Sequence, residues 1–509
     1  MNPLQLVLTA AFVLSGAAGL IYESIWSRYL GLFVGHSAYA QTIVLVIFLG
    51  GMSAGAAWTA RYSEHMRQPL FWYARVEAAT GAIGFAFHGV FGVVTAFCYD
   101  TLFPALPGGV TLTVAKWGIA ALLILPQSVL LGTTFPLMSA GYLRASSPDG
   151  RTGSGRVLAN LYFSNSLGAA VGVLVAGFVL IRAFGLPGTL QAAGILNVMA
   201  AAMVVAIVQL TREDDVPGAA TLAPAAPAAP ATPAASAAPA APAAAATVAV
   251  TVTVTNDGAA SLARMLLVVA FGTAVSSFIY EIAWVRMLSL VLGSATHSFE
   301  LMLSAFILGI ALGAFWVRTH ADTFRNPVRA LAITQWVMGA LAIATMSVYV
   351  WSFEWMAWLL QAPSRTDEGY RLFTLARYGI CLAVMLPATF CAGITLPLIT
   401  RILLAGGAGE RAIGIVYSIN TFGSIVGAAL AALVLMPLIG LKAMLVSGGV
   451  IDMALGVWLM WRPATASDET RHFAKVLAAA GLLAVLGSTL YAPFTREVLT
   501  SGVFRYGRV

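Results

Sequence analysis

The chain has 509 residues, of which 60 % are hydrophobic and 9 % charged, with a mean hydropathy of +0.88. Such a composition excludes an ordinary soluble globule, and apolar runs of about 20 residues or more are long enough to cross a hydrocarbon layer of roughly 30 Å. The net charge of +7 is read as the Lys/Arg excess that membrane proteins keep on one side, so no nucleic-acid partner is expected.

Thirteen spans are predicted, at residues 4–30, 38–60, 71–98, 114–142, 157–181, 187–210, 263–292, 297–318, 327–352, 372–401, 411–437, 441–462 and 472–491. The first lacks a basic leader and carries Glu23 and Arg28, so it is expected to stay as a helix rather than be removed as a signal peptide. Between the sixth and seventh spans, residues 218–246 are mostly Ala and Pro. Repeated Pro forbids a regular helix, and nothing there can build a core, so this is a semi-extended linker. The predicted organisation is an N-terminal six-helix repeat (1–211), a linker (212–262), a C-terminal six-helix repeat (263–462) and an extra helix with a tail (463–509).

The two repeats are copies of one unit. Tyr-Glu-x-x-Trp-x-Arg occurs as Tyr22-Glu23, Trp26 and Arg28, and again as Tyr280-Glu281, Trp284 and Arg286, an offset of 258 that also pairs Phe48 with Phe306, Gly51 with Gly309, Gly55 with Gly313 and Gly81 with Gly339. At an offset of 261, Pro126, Gly132, Thr134 and Pro136 match Pro387, Gly393, Thr395 and Pro397. At 255, Tyr162, Asn165, Gly168 and Gly172 match Tyr417, Asn420, Gly423 and Gly427. Three blocks in the same order with small changes of offset establish a duplication. Connections after even-numbered spans carry more Lys and Arg, for example Arg61, Arg67, Arg144, Arg318 and Arg401, which predicts a cytoplasmic N-terminus and linker. Units with an even number of helices point the same way, an arrangement found in major facilitator transporters. A thirteenth crossing would put the tail from Ala492 outside.

Charges inside apolar runs are costly in lipid and mark functional positions by default. Glu23 and Glu281 are the leading candidates for cation or proton handling, and they read equally as inter-helix salt bridges or cap acceptors. Arg28 and Arg286 follow five residues later, about 140° round a helix in projection, so a same-face pair with the glutamate is not expected; near the span ends they can snorkel to the interface. Glu77 aligns with Gln335, and Glu300 with Thr42, so neither has an acidic counterpart. That asymmetry suits one unsymmetrical ligand between similar halves, and pairing of Glu77 with Arg75 is the plainer alternative. Tyr22, Trp26, Tyr280 and Trp284 offer cation–π faces. Asn165 and Asn420 are buried polar groups that bridge helices or face substrate. Pro126, Pro136, Pro387 and Pro397 are read as kinks that flank a cavity or serve packing, with Thr134 and Thr395 able to satisfy the freed carbonyls. The Gly-x-x-x-Gly pairs let backbones approach closely. His88, His297 and the cysteines Cys98, Cys381 and Cys391 read as packing residues. No nucleotide-binding loop, catalytic motif or metal-ligand spacing occurs, so no cofactor, metal or enzymatic step is expected.

The run Ser15-Gly16 to Tyr22-Glu23, Trp26 and Arg28, followed by Gly35-His-Ser-Ala38 and Phe48-Leu-Gly-Gly51, resembles the membrane region of bacterial fused major facilitator/spermidine synthase-like proteins. The Gly-x-Thr-x-Pro-Leu and Tyr-x-x-Asn-x-x-Gly blocks share that resemblance, which covers nearly the whole chain. It implies a multi-pass protein of the bacterial inner membrane. In many family members a spermidine synthase-like domain follows, and Leu499 to Tyr506 resembles the junction into it; the chain ends at Val509, so no transferase activity is expected here. Two functions follow as expectations. One is a secondary transporter of a small organic cation, with polyamines as the leading class. The other is a non-transporting scaffold for a spermidine synthase-like protein.

Overall fold

The computed structural model describes residues 3–35, 37–146, 154–214, 256–293, 296–320, 323–361, 366–461, 468–491 and 501–506. The apolar runs fold as helices, because a backbone in lipid must satisfy its own hydrogen bonds. They are α1 (Pro3–Val34), α2 (Ser37–Tyr62), α3 (Pro69–Phe97), α4 (Val110–Ser146), α5 (Ser154–Val175), α6 (Ile181–Asp214), α7 (Asn256–Leu292), α8 (Thr296–His320), α9 (Pro327–Gln361), α10 (Asp367–Ala405), α11 (Arg411–Leu430), α12 (Met436–Met460) and α13 (Asp468–Tyr491). The Ala/Pro stretch 218–246 lies outside the described residues, while α6 and α7 extend as helix into the outer parts of the predicted linker.

Among the described residues, eleven helical stretches are long and apolar enough to cross a membrane. Two of them, Gly155–Leu210 and Arg411–Met460, run 56 and 50 residues. At about 1.5 Å per residue either would be more than twice the thickness of a hydrocarbon core. Each is broken by a glycine in the left-handed region, Gly185 at φ 65° and Gly440 at φ 75°. Each stretch is therefore long enough for two crossings, which gives about thirteen among the described residues. The breaks are themselves repeated at the 255 offset, as are the π-helical turns Ala176–Leu180 and Ala431–Leu435 that precede them.

Helices α1–α6 form one half and α7–α12 the other. Within the first, α1 packs on α2, α5 and α6, and α4 packs on α2 and α3; the second repeats this with α7 on α8, α11 and α12, and α10 on α8 and α9. The halves meet where α2 packs on α11 and α5 on α8, the pairing that a twofold axis between two copies generates. Helix α13 lies outside this arrangement against α9 and α12, with Leu482, Leu483 and Leu486 exposed. Short of the C-terminus, Val503 is buried and Phe504 lies against Gly293 at the end of α7, on the face opposite the chain start.

The predicted glycine pairs sit at the closest approaches. Gly51 and Gly55 of α2 lie on Ser128 and Val129 of α4, and Gly309 and Gly313 of α8 lie on Thr389 and Phe390 of α10. Gly168 and Gly172 meet Val13 and Ala17 of α1, as Gly423 and Gly427 meet Phe271 and Val275 of α7. One expectation is corrected. Pro136 and Pro397 free the carbonyls of Gly132 and Gly393, four residues back, but Thr134 Oγ1 donates to the Leu131 carbonyl (2.7 Å) and Thr395 Oγ1 to that of Cys391 (3.1 Å). The threonines therefore bond neighbouring carbonyls, because the rotamer that returns to the preceding turn reaches residues three and four back from itself.

A Cβ at Gly168 would stand 2.0 Å from the Val13 carbonyl oxygen, and one at Gly423 2.5 Å from that of Phe271. Backbone cannot yield as a flexible side chain does. Gly168→Leu and Gly423→Leu should each destabilise the bundle by about 1–3 kcal/mol or more, read as a lower melting temperature in detergent with loss of monodispersity on gel filtration.

Candidate substrate site between the two halves

The duplicated Tyr-Glu motif divides its residues between two environments. Tyr22 and Trp26 are fully buried within the first half and stacked on each other at 5.5 Å; Tyr280 and Trp284 do the same in the second at 5.3 Å. Trp26 packs against Phe48 of α2 and Phe87 of α3, and Trp284 Nε1 donates to Thr345 Oγ1 at 3.2 Å. These four aromatics were expected to face a cation. The structure instead spends their faces on intra-half packing, because a helix that turns its glutamate out of the half turns the preceding tyrosine in.

Glu23 and Glu281 lie elsewhere. Both are half-buried, and Glu281 is within electrostatic range of Glu23 on the other half. Among the described residues neither carboxylate has a hydrogen-bond or ion-pair partner. A half-buried carboxylate in a helical bundle is costly without compensation, and two within electrostatic range of each other repel. Such a pair attracts a positive ligand. Asn165 and Asn420, on α5 and α11, are also half-buried, and Asn165 lies against Gly16 of α1, two turns before Glu23.

Arg28 and Arg286 part company. Arg286 is exposed, whereas Arg28 crosses to the other half and pairs with Glu300 of α8. Glu300 is completely buried beside Gly177, where any side chain would collide with its carboxylate. Its other oxygen lies 3.3 Å from His297 Nδ1, and the His297 ring stacks on Phe178 at 4.8 Å. Glu300 is thus part of a lock near the end of α1 and the start of α8, opposite the face from which the chain starts. Glu77 does not pair with Arg75, whose guanidinium covers Phe71 and Trp72; it is buried inside the first half. His88 bonds Tyr29 at 2.8 Å as a packing residue.

The opposite, linker-side face is closed separately. Phe135 of α4 stacks on Tyr417 of α11 at 5.0 Å with 6° between planes, and meets Tyr162 of α5 edge-on at 5.8 Å. Pro397, Leu396 and Thr400 of α10 complete the small pocket there. Pro126, Pro136 and Pro387 do not line it. Further out, Arg144 at the end of α4 forks onto Glu410 (Nε to Oε1 2.9 Å, Nη2 to Oε2 2.5 Å) and donates to the carbonyls of Met66 (2.5 Å) and Ser63 (2.9 Å). Glu23 stands five residues before Arg28 on α1, on the linker side of the Arg28–Glu300 lock.

Four features escaped the sequence reading. Asp452, Asn197 and Ser15 are buried hydrogen-bonding groups, and extending the 255 offset would have aligned Asn197 with Asp452. The Arg144–Glu410 fork had no sequence signal, since its residues are 266 apart and outside the repeat blocks.

Glu300→Gln should release Arg28 and loosen the far-side lock. A cysteine at Ser27, one turn beyond Glu23, should then react about tenfold faster with a soluble maleimide than in the otherwise unchanged protein, the effect of removing about 1.4 kcal/mol from a closed state; an unchanged rate would show that the lock does not hold that side shut.

No family model and no curated protein matches the sequence. Among solved structures, the human organic anion transporter MFSD10 (TETRAN) matches with a TM-score of 0.53 at 12 % identity, over 90 % of this chain and 100 % of that one. The E. coli fucose:proton symporter FucP matches with a TM-score of 0.48 at 11 % identity, over 89 % and 97 % of the two chains. The proton:xylose symporter XylE gives 0.44 at 14 % identity over 98 % of each. At such identities the likeness is one of fold. The chain is an all-helical, multi-pass bundle with the two-repeat architecture of the major facilitator transporters.

Proposed function

We propose that this chain is a secondary transporter of a small organic cation, with polyamines the favoured class, working by alternating access between its two halves. The observation that carries the reading is the pair Glu23 and Glu281, half-buried, within electrostatic range of each other and without a protein cation among the described residues. The fold supports it: the halves pack along α2–α11 and α5–α8, and each end of the interface has its own closure. Opening the Arg144–Glu410 end while Arg28–Glu300 holds, and the reverse, would expose the glutamates to one side at a time. In this reading the N-terminus and linker are cytoplasmic, in a bacterial inner membrane.

The sign of the substrate is not carried over with the fold. The human organic anion transporter shares the architecture at 12 % identity, but two carboxylates within electrostatic range of each other favour the opposite charge. Polyamines are favoured because a flexible dication can present one ammonium to each carboxylate, and because the sequence resembles the fused spermidine synthase-like family. A pure scaffold for a soluble synthase-like partner leaves the uncompensated pair without a role.

Protein reconstituted in liposomes should take up labelled spermidine. Glu23→Gln and Glu281→Gln should each slow uptake about tenfold, as expected for a loss of about 1.4 kcal/mol of binding. Uptake at wild-type rate in both variants would remove the pair from the mechanism.

A further inference from the structure

Besides Glu300, each half buries one carboxylate away from the Glu23 and Glu281 pair, and the two halves do so on different helices. In the first half Glu77 of α3 accepts from Ser15 Oγ at 2.5 Å and from Asn197 Nδ2 of α6 at 2.6 Å, while Asn197 Oδ1 accepts from the Tyr22 hydroxyl at 2.9 Å. In the second half the acid is Asp452 of α12, which accepts from Ser276 Oγ and from the Tyr280 hydroxyl, both at 2.7 Å. Gln335 of α9, aligned with Glu77, donates to Thr273 Oγ1 at 2.7 Å. Thr273 aligns with Ser15, and Asp452 with Asn197. Acid and amide have exchanged places. Glu77, Asn197, Gln335 and Asp452 have no exposed surface, and among the described residues no Lys, Arg or His pairs with either acid.

What the repeats retain is therefore not a charge at one position but a set of bonds to the first helix of each half. Ser15 and Tyr22 are seven residues apart, so they lie within about 20° on one face and about 10 Å apart in height. Bonds at two heights on one face fix a helix against rotation about its own axis, where one bond would leave a pivot. Thr273, Ser276 and Tyr280 do the same for α7. The next residues, Glu23 and Glu281, stand about 100° further round. With side-chain tips about 6 Å from the axis, a 30° rotation would move either carboxylate by about 3 Å.

We propose that Glu77 and Asp452 are positioning residues that hold α1 and α7, through the hydroxyls of Ser15 and of Ser276 and Tyr280 and through Asn197 to Tyr22, in the rotation that turns Glu23 and Glu281 toward each other. The functional meaning of this arrangement rests on the cation-site reading above; the geometry does not. An anchor made of hydrogen bonds tolerates an amide in place of the acid. The second half displays this already, since Gln335 bonds Thr273 from the position of Glu77. A group acting through its charge or its proton would not tolerate that exchange.

The test uses full-length protein carrying Glu23→Cys and Glu281→Cys, joined by a short bismaleimide and read as crosslinked peptide by mass spectrometry. Glu77→Leu or Asp452→Leu should lower the yield about fivefold or more, while Glu77→Gln and Asp452→Asn should stay within about twofold of the parent, given how steeply such reactions depend on placement. Should a leucine variant fail to give monodisperse protein, Tyr22→Phe and Tyr280→Phe, which each remove one hydroxyl, should lower the yield in its place. Parent-level crosslinking in the leucine or phenylalanine variants would overturn the proposal, as would amide variants as impaired as the leucine ones. In protein with the native glutamates, Glu77→Leu should raise KM for spermidine uptake more than it lowers kcat, and Glu77→Gln should restore both. If no chain takes up spermidine but the crosslinking pattern holds, the transport reading fails and the positioning role stands.

Discussion

A twofold relation between copies of one helical unit places like beside like along its axis. The pairing of α2 with α11 and of α5 with α8 is that relation seen in the contacts. It sets the first helix of each half on the same side of the interface as its copy, and Glu281 comes within electrostatic range of Glu23. A counter-charge cannot come from the equivalent position, which carries the same sign. It has to come from a difference between the repeats or from a ligand. Arg28 is not that difference, because Glu300 holds it.

The two closures are such differences, and they occur once each. Glu300 aligns with Thr42, and Arg286, the copy of Arg28, is left exposed. At the other face Arg144 aligns with Ala405, and Glu410 with Gly155. The repeats have diverged at the ends of the interface and stayed alike at its centre. The closures also differ in strength. With side chains 34 % and 24 % exposed, the Arg144–Glu410 pair is worth on the order of 1 kcal/mol or less by itself, and the aromatic stack behind it closes that face with it. Glu300 is wholly buried, so parting it from Arg28 leaves an uncompensated charge and costs more.

The helices, the duplication and the glycine contacts were legible in the sequence. Each depends on local pattern or on repetition, as Gly168 and Gly423 show. Gly185 and Gly440 break two long helical stretches inside the predicted connections 182–186 and 438–440, so the span boundaries there were legible too. The site was legible in part. The Tyr-Glu motif singled out α1 and α7, and the helical angle between Glu23 and Arg28 kept them from being read as a pair. Which neighbour of a glutamate faces in and which faces out was not legible, because that rotation is set by partners far along the chain: Asn197 and Glu77 for Tyr22, Asp452 for Tyr280. The apparent lack of an acidic counterpart for Glu77 came from looking along one helix. Its counterpart stands on another.

The account turns on whether Glu23 and Glu281 hold a cation. Equilibrium binding of radiolabelled spermidine to purified protein in detergent tests this without requiring transport. The account predicts saturable binding to the wild-type protein, displaced by other di- and polyamines, and its loss in the Glu23→Gln/Glu281→Gln double variant. Undiminished binding in that variant, or displacement by organic anions and not by amines, would contradict it.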